Sequence, residues 1–154
     1  MKSLLIVAAA LALAGCTISA KTVNVPEGDI RKGGASSANG DVIVGQNALL
    51  GGEVSSVNGS IVVGDRASVG EASTVNGSIR TGMLSKVGEV ETVNGSIVLG
   101  EQSQAGSAET VNGSVKGSTG ATIDGDVETV NGSVSLAAGK PLPTARVAAA
   151  NPPR

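Results

Sequence analysis

Val57-Asn58-Gly59-Ser60 recurs as Val75-Asn76-Gly77-Ser78, Val93-Asn94-Gly95-Ser96, Val111-Asn112-Gly113-Ser114 and Val130-Asn131-Gly132-Ser133. Successive starts lie 18, 18, 18 and 19 residues apart, and a degenerate copy, Ala38-Asn39-Gly40-Asp41, stands 19 residues before the first. A fixed period of this length is the signature of a solenoid, in which each repeat is one coil that buries its apolar face only by stacking on neighbours. The period predicts an all-β chain: a three-sided parallel β-helix, or β-solenoid, of 5–6 coils of about 18 residues over residues 38–136.

Aligning the coils assigns work to each position. One coil divides into three sides of six residues, 57–62, 63–68 and 69–74. On the first side Val57, Gly59, Ile61 and Val63 alternate onto one face, the period of a half-buried strand. The second side offers Val63, Leu99 and Leu136 to the core, with Thr81 and Gly117 as weak spots, opposite the small residues Ala67, Ser85, Ser103 and Ala121. On the third side Val69, Val87, Ala105 and Ile123 lead, followed by Ala72, Val90, Ala108 and Val127. The expected core is aliphatic and narrow, and the chain contains no Phe, Tyr or Trp, rings for which a thin prism has no room.

Asn-Gly is the commonest pair where the chain turns with positive φ, so it is expected at one corner of every coil. Stacked in register, Asn39, Asn58, Asn76, Asn94, Asn112 and Asn131 are expected to form a structural amide ladder. Ser56, Thr74, Thr92, Thr110 and Thr129 make a second column, two residues before the asparagines.

The flanks differ in kind. Met1-Lys2-Ser3 is a short positive start, and Leu4 to Leu13 is an apolar run too short to span a bilayer, so residues 1–15 read as a cleavable signal peptide. That run ends in Leu13-Ala14-Gly15-Cys16, which resembles the lipobox of bacterial lipoproteins. The resemblance implies cleavage between Gly15 and Cys16, lipidation of Cys16, and anchoring to a membrane by several acyl chains. Thr17 rather than Asp after the cysteine implies the outer membrane under that family's sorting rule. Residues 16–37 are expected to be a lipidated tether, a capping strand at Thr22–Val25, and a Gly/Ser-rich loop over Arg31–Ser37. Residues 137–154 hold four of the five prolines and read as a disordered Pro/Ala-rich tail.

Charge and composition then exclude function classes. Without residues 1–15 the chain has ten basic and thirteen acidic side chains, a net charge of −3. Between Ala38 and Leu136 four basic residues face eleven acidic ones. An acidic rod lacks the basic stripe that binds nucleic acid or lies flat on anionic lipid. With no histidine, the usual base of a nucleophilic triad and the commonest zinc ligand are missing. Cys16 is the only cysteine, so no intramolecular disulfide forms. The pairs Glu89/Glu91 and Asp124/Asp126 each share a strand face, but 18-residue coils build no cleft around them. They suit weak Ca²⁺ binding at most, and the glycine-aspartate nonapeptide of calcium-binding β-rolls is absent. No enzyme activity, cofactor or metal site is expected. The five Asn-Gly-Ser triplets match the N-glycosylation sequon, and corner geometry accounts for them without it.

Three further resemblances follow from these residues. Glu91-Thr92-Val93-Asn94-Gly95-Ser96-Ile97 and its repeats resemble the bacterial β-strand-repeat proteins classed as adhesins. Ala121-Thr122-Ile123-Asp124-Gly125-Asp126-Val127 resembles the bactofilins, whose uncapped solenoids assemble into filaments. Val63-Gly64, Val69-Gly70, Val87-Gly88 and Leu99-Gly100 resemble left-handed hexapeptide-repeat helices. Glu91 and Glu109 fall where that last pattern needs a small inward residue, which leaves handedness open and favours a right-handed coil. The expected function is that of a non-enzymatic, lipid-anchored envelope protein, a structural or adhesive surface module. The alternatives are a scaffold that self-associates through its solenoid ends and, more remotely, an ice-binding face of Thr-x-Asn columns.

Overall fold

The computed structural model describes residues 18–19, 21–137 and 145–147. The expected signal peptide, its cleavage site, the Cys16 anchor and most of the 137–154 tail lie outside the described residues. All described elements are β-strands, every pairing is parallel, and no helix occurs among the described residues. Strands stack into a 10-stranded and a 7-stranded sheet that wind together as a β-solenoid of about six turns, with about 18 residues per turn.

The central coils each contribute a short strand to one sheet and a long one to the other, for example Ile79–Thr81 and then Lys86–Asn94. The long strand is bent. Val87 and Val90 are buried, but two outward residues, Gly88 and Glu89, stand between them and interrupt the alternation. Three inward runs per coil result: Ile79 and Thr81, Ser85 and Val87, then Val90 and Thr92, all buried. Where three residues instead of two separate the last two runs, the coil gains its nineteenth residue. This happens at Gly51-Gly52-Glu53, where the register shifts between Leu50 and Glu53, and at Asp124-Gly125-Asp126.

The core is a continuous aliphatic column, with Ile61, Ile79, Ile97 and Val115 stacked one above another and fully buried. The weak spot at Gly117 is filled from the next coil: Leu136 Cδ2 lies 2.4 Å from where a glycine Cβ would stand. Buried polar positions on the second side are also satisfied. Ser85 Oγ donates to the Gly82 carbonyl at 2.9 Å, and Ser103 Oγ to that of Gly100 at 2.8 Å.

Four expectations are corrected. First, Val57, Val75, Val93 and Val111 are only half-buried and Val130 is exposed; the buried position on that run is the preceding Ser56, Thr74, Thr92, Thr110 or Thr129. Each of these hydroxyls satisfies a backbone carbonyl, so a polar side chain is stable inside. Second, positive φ does not occur at the Asn-Gly pairs. It occurs at the next corner along the chain, past the short strand, at Asn47, Arg66, Leu84 and Gln102 and at Gly28 and Gly120.

Third, stacking starts before residue 38. Val23–Val25 pairs with Val42–Val44, Ile30–Arg31 with Leu49–Leu50, and Ala35–Ser37, expected within a loop, pairs with Val54–Ser56. Ala35 and Ser37 alternate inward as in later coils, which the small residues concealed. Fourth, a strand, Ala145–Val147, falls within the expected disordered tail and pairs with Val127–Thr129.

Candidate functional site

Three columns of polar residues run along the rod, and each follows from coil-on-coil register. The first is the asparagine column. Nδ2 of Asn58 donates to Oδ1 of Asn39 at 3.0 Å, and the same bond repeats from Asn76 to Asn58 at 2.9 Å and from Asn94 to Asn76 at 3.0 Å. Asn112 bonds Asn94 and Asn131 bonds Asn112, both at 3.0 Å. All six side chains are exposed, so the ladder lies on the surface of the corner.

The second column lies directly inside the first. Thr74, Thr92, Thr110 and Thr129 donate from Oγ1 to the carbonyls of Gly59, Gly77, Gly95 and Gly113 at 2.9–3.1 Å. Ser56 Oγ does the same to Gly40 at 2.9 Å. The accepting glycines have a steric reason to be glycine. A Cβ on Gly77, Gly95 or Gly113 would lie 2.1, 1.9 or 1.8 Å from the carbonyl oxygen of the glycine one coil below. Glycine is required there for close backbone approach and not for positive φ. With its threonines buried, this corner presents no Thr-x-Asn face to solvent, which removes the observation behind the ice-binding expectation.

The third column is acidic, and the sequence shows of it the local pair Glu89/Glu91 and the recurrence of Glu91 at Glu109. The register aligns Glu53, Glu71 and Glu89 along the bend, and Glu91, Glu109 and Glu128 beside them. The 18-residue spacing of Glu71 to Glu89 and of Glu91 to Glu109 was the available signal. Two full charges one coil apart repel by roughly 3 kcal/mol at an effective dielectric of about 20. The ion pair of Arg31 with Asp29 engages no glutamate of this strip.

Glu91 carries the largest consequence. It is 3% exposed and its Oε2 has no hydrogen-bond partner. Burial first, then a hydrogen bond with Glu89 and the charges of Glu89, Glu109 and Glu71, push its pKa up to about 7. Burial and neighbouring carboxylates also raise Glu71 and Glu109 above the usual carboxylate range. Asp124 and Asp126 are exposed.

Chemically, the strip can hold protons or attract cations. No group of three or more His, Cys, Asp or Glu side chains is arranged to hold a metal ion among the described residues. On this strip Ser73 Oγ donates to Glu53 Oε1 at 3.2 Å, and the chain has no histidine. No family model, curated protein or solved structure matches the chain.

Proposed function

We propose that this chain is a non-enzymatic, lipid-anchored protein of the bacterial cell envelope, held at the outer membrane by Cys16, whose solenoid acts as a structural or adhesive surface module. The observation that carries the reading is how fully each coil is committed to stacking. Isoleucine and valine fill the core, threonine satisfies the glycine carbonyl, glycine admits the next coil and asparagine ties the corner. Little of the coil is left to form a cleft around a substrate, and a solenoid with such coils supplies a rigid, regular surface instead. The Leu13-Ala14-Gly15-Cys16 resemblance to a lipobox supports the anchor, and the Val-Asn-Gly-Ser repeats, by resemblance, support kinship with adhesin-class β-strand-repeat proteins.

Metabolic labelling with a fatty-acid analogue tests the anchor. The wild-type chain takes up label and fractionates with the outer membrane, and Cys16→Ala loses both. Persistent labelling of the variant refutes the assignment.

A second reading, a scaffold that self-associates end to end, is favoured by the ends of the 7-stranded sheet. Val23–Val25 and Val134–Leu136 each pair with one strand only among the described residues. Such an edge offers unpaired backbone groups to another copy. Sedimentation at rising concentration separates the two readings: a strict monomer removes the scaffold, and a ladder of larger species supports it.

A further inference from the structure

The Asn-Gly column carries chemistry that the structural reading does not use. In an Asn-Gly pair the glycine backbone nitrogen can attack the asparagine side chain, because no Cβ shields it. An N–C bond forms to Cγ while the bond from Cγ to the side-chain nitrogen breaks. That nitrogen leaves as ammonia with the glycine N–H proton, and a five-membered succinimide remains. Water then opens the ring to aspartate or isoaspartate. The sum is amide plus water giving acid plus ammonia, with no oxidant or other reactant.

The ladder controls access to this step. For Cγ to meet the attacking nitrogen the side-chain amide must rotate out of its hydrogen bonds. Asn58, Asn76, Asn94 and Asn112 are each held twice, through Nδ2 to the coil before and through Oδ1 from the coil after. Asn112 is further protected because the Gly113 nitrogen donates to the Asn131 carbonyl at 3.2 Å. The two ends are each held by one such ladder bond. Asn131 donates from Nδ2 to Asn112, and Asn39 accepts at Oδ1 from Asn58.

The ends also differ from one another. Gly132 is exposed, whereas Gly40, Gly59, Gly77, Gly95 and Gly113 are half-buried. The backbone of Lys21 and Thr22 packs against Gly40, within 3.0 Å of where its Cβ would be.

We infer that Asn131-Gly132 is a site of spontaneous deamidation, and that conversion proceeds along the ladder from this end inward. Loss of the Asn131 amide removes the donor to Asn112 Oδ1, so Asn112 becomes a new end. Each event adds one negative charge to an already acidic rod, and an isoaspartate lengthens the backbone immediately before Val134–Leu136.

The test incubates the full chain, folded in detergent micelles at mildly alkaline pH, and follows conversion of each asparagine by peptide mass spectrometry. Cleavage after Lys116 and Arg146 isolates Asn131 from the other ladder members. Asn131 is expected to convert about tenfold faster than Asn76 or Asn94, the factor set by one additional hydrogen bond. In denaturant the rates should converge. Equal rates in the folded chain, or faster conversion of Asn76 or Asn94, overturn the inference. A variant separates ladder control from general loosening of the C-terminal coil. Asn112→Ser cuts the ladder and makes Asn94 an end, so Asn94 should accelerate by roughly tenfold while Asn58 keeps its rate. An unmoved Asn94 overturns ladder control.

Discussion

Thr92 Oγ1 donates a 2.9 Å hydrogen bond to the carbonyl oxygen of Gly77, fifteen residues earlier in the chain and one coil below. The bond explains why a polar side chain that is only 2% exposed stands in an aliphatic core. It also gives the Gly77 carbonyl, which sits beneath the next coil, a partner at the corner. Thr92→Val keeps shape and removes the donor, leaving that carbonyl unsatisfied. The expected cost is about 1–3 kcal/mol, measured by denaturant unfolding. Thr92→Ser should lose little of the bond, because Ser56 already makes it to Gly40. A larger cost for Thr92→Ser than for Thr92→Val would show that the methyl, not the hydroxyl, matters.

Gly95→Ala should be among the most damaging single-methyl changes in the chain. The added Cβ meets the Gly77 carbonyl oxygen at 1.9 Å, and neither backbone can yield without separating two coils. Overpacking of this kind costs about 3 kcal/mol or more. Gly33→Ala, where nothing lies within 4 Å, is the control and should be near neutral. A midpoint for Gly95→Ala close to that of Gly33→Ala would refute the steric account.

The period, the three sides and most of the core were legible because Ile61, Val63, Val69 and Ala72 carry the alternation in their own hydrophobicity. The phase at the Asn-Gly corner was not. Val57 and Thr74 are both strand formers, and hydropathy places the valine inward; only the geometry of the glycine carbonyl makes the threonine the better core residue. The glycines were misread for a related reason. Asn-Gly suggests positive φ, yet the need was space for a backbone one coil away, which no local pattern reports. The positions with positive φ carry Asn47, Arg66, Leu84 and Gln102, which share no chemistry. The acidic strip was half legible, since the Glu89/Glu91 pair and the recurrence at Glu109 show in the sequence whereas the extension to Glu71 depends on register.

Leu84 offers a stabilising change. Its φ is +55° and its side chain is 47% exposed, so the leucine is strained in the left-handed region and gains little burial in return. Asparagine, which occupies the same corner at residue 47, adopts that region more readily. Leu84→Asn should raise stability by about 0.5–1 kcal/mol in thermal or denaturant unfolding. An unchanged or lower midpoint would mean that Leu84 makes a contact worth more than its backbone strain.

Glu91 makes the fold sensitive to pH near neutrality. Its neighbours on the outer face are Glu89 on its own strand, Glu109 and Glu71 on the adjoining strands, and Ser73 at its register position, and none of them brings a positive charge. The folded-state pKa of about 7 lies above the ordinary glutamate value of 4.5, so between those values the folded chain holds a proton that the unfolded chain releases. Stability is therefore full below the unfolded pKa and falls as pH rises through about 7, the opposite of a salt-bridged carboxylate. Raised values at Glu71 and Glu109 act in the same direction. Moving from about pH 5 to about pH 8 should lower stability by roughly 1–2 kcal/mol once solvent screening along the strip is allowed for. Glu91→Gln mimics the protonated side chain and should flatten most of this dependence, leaving the variant more stable than wild type at the alkaline end. Thermal unfolding of both proteins across that range reads the difference. A wild-type midpoint that rises with pH, or a variant that keeps the full slope, would show that the strip is not held by a shared proton at Glu91.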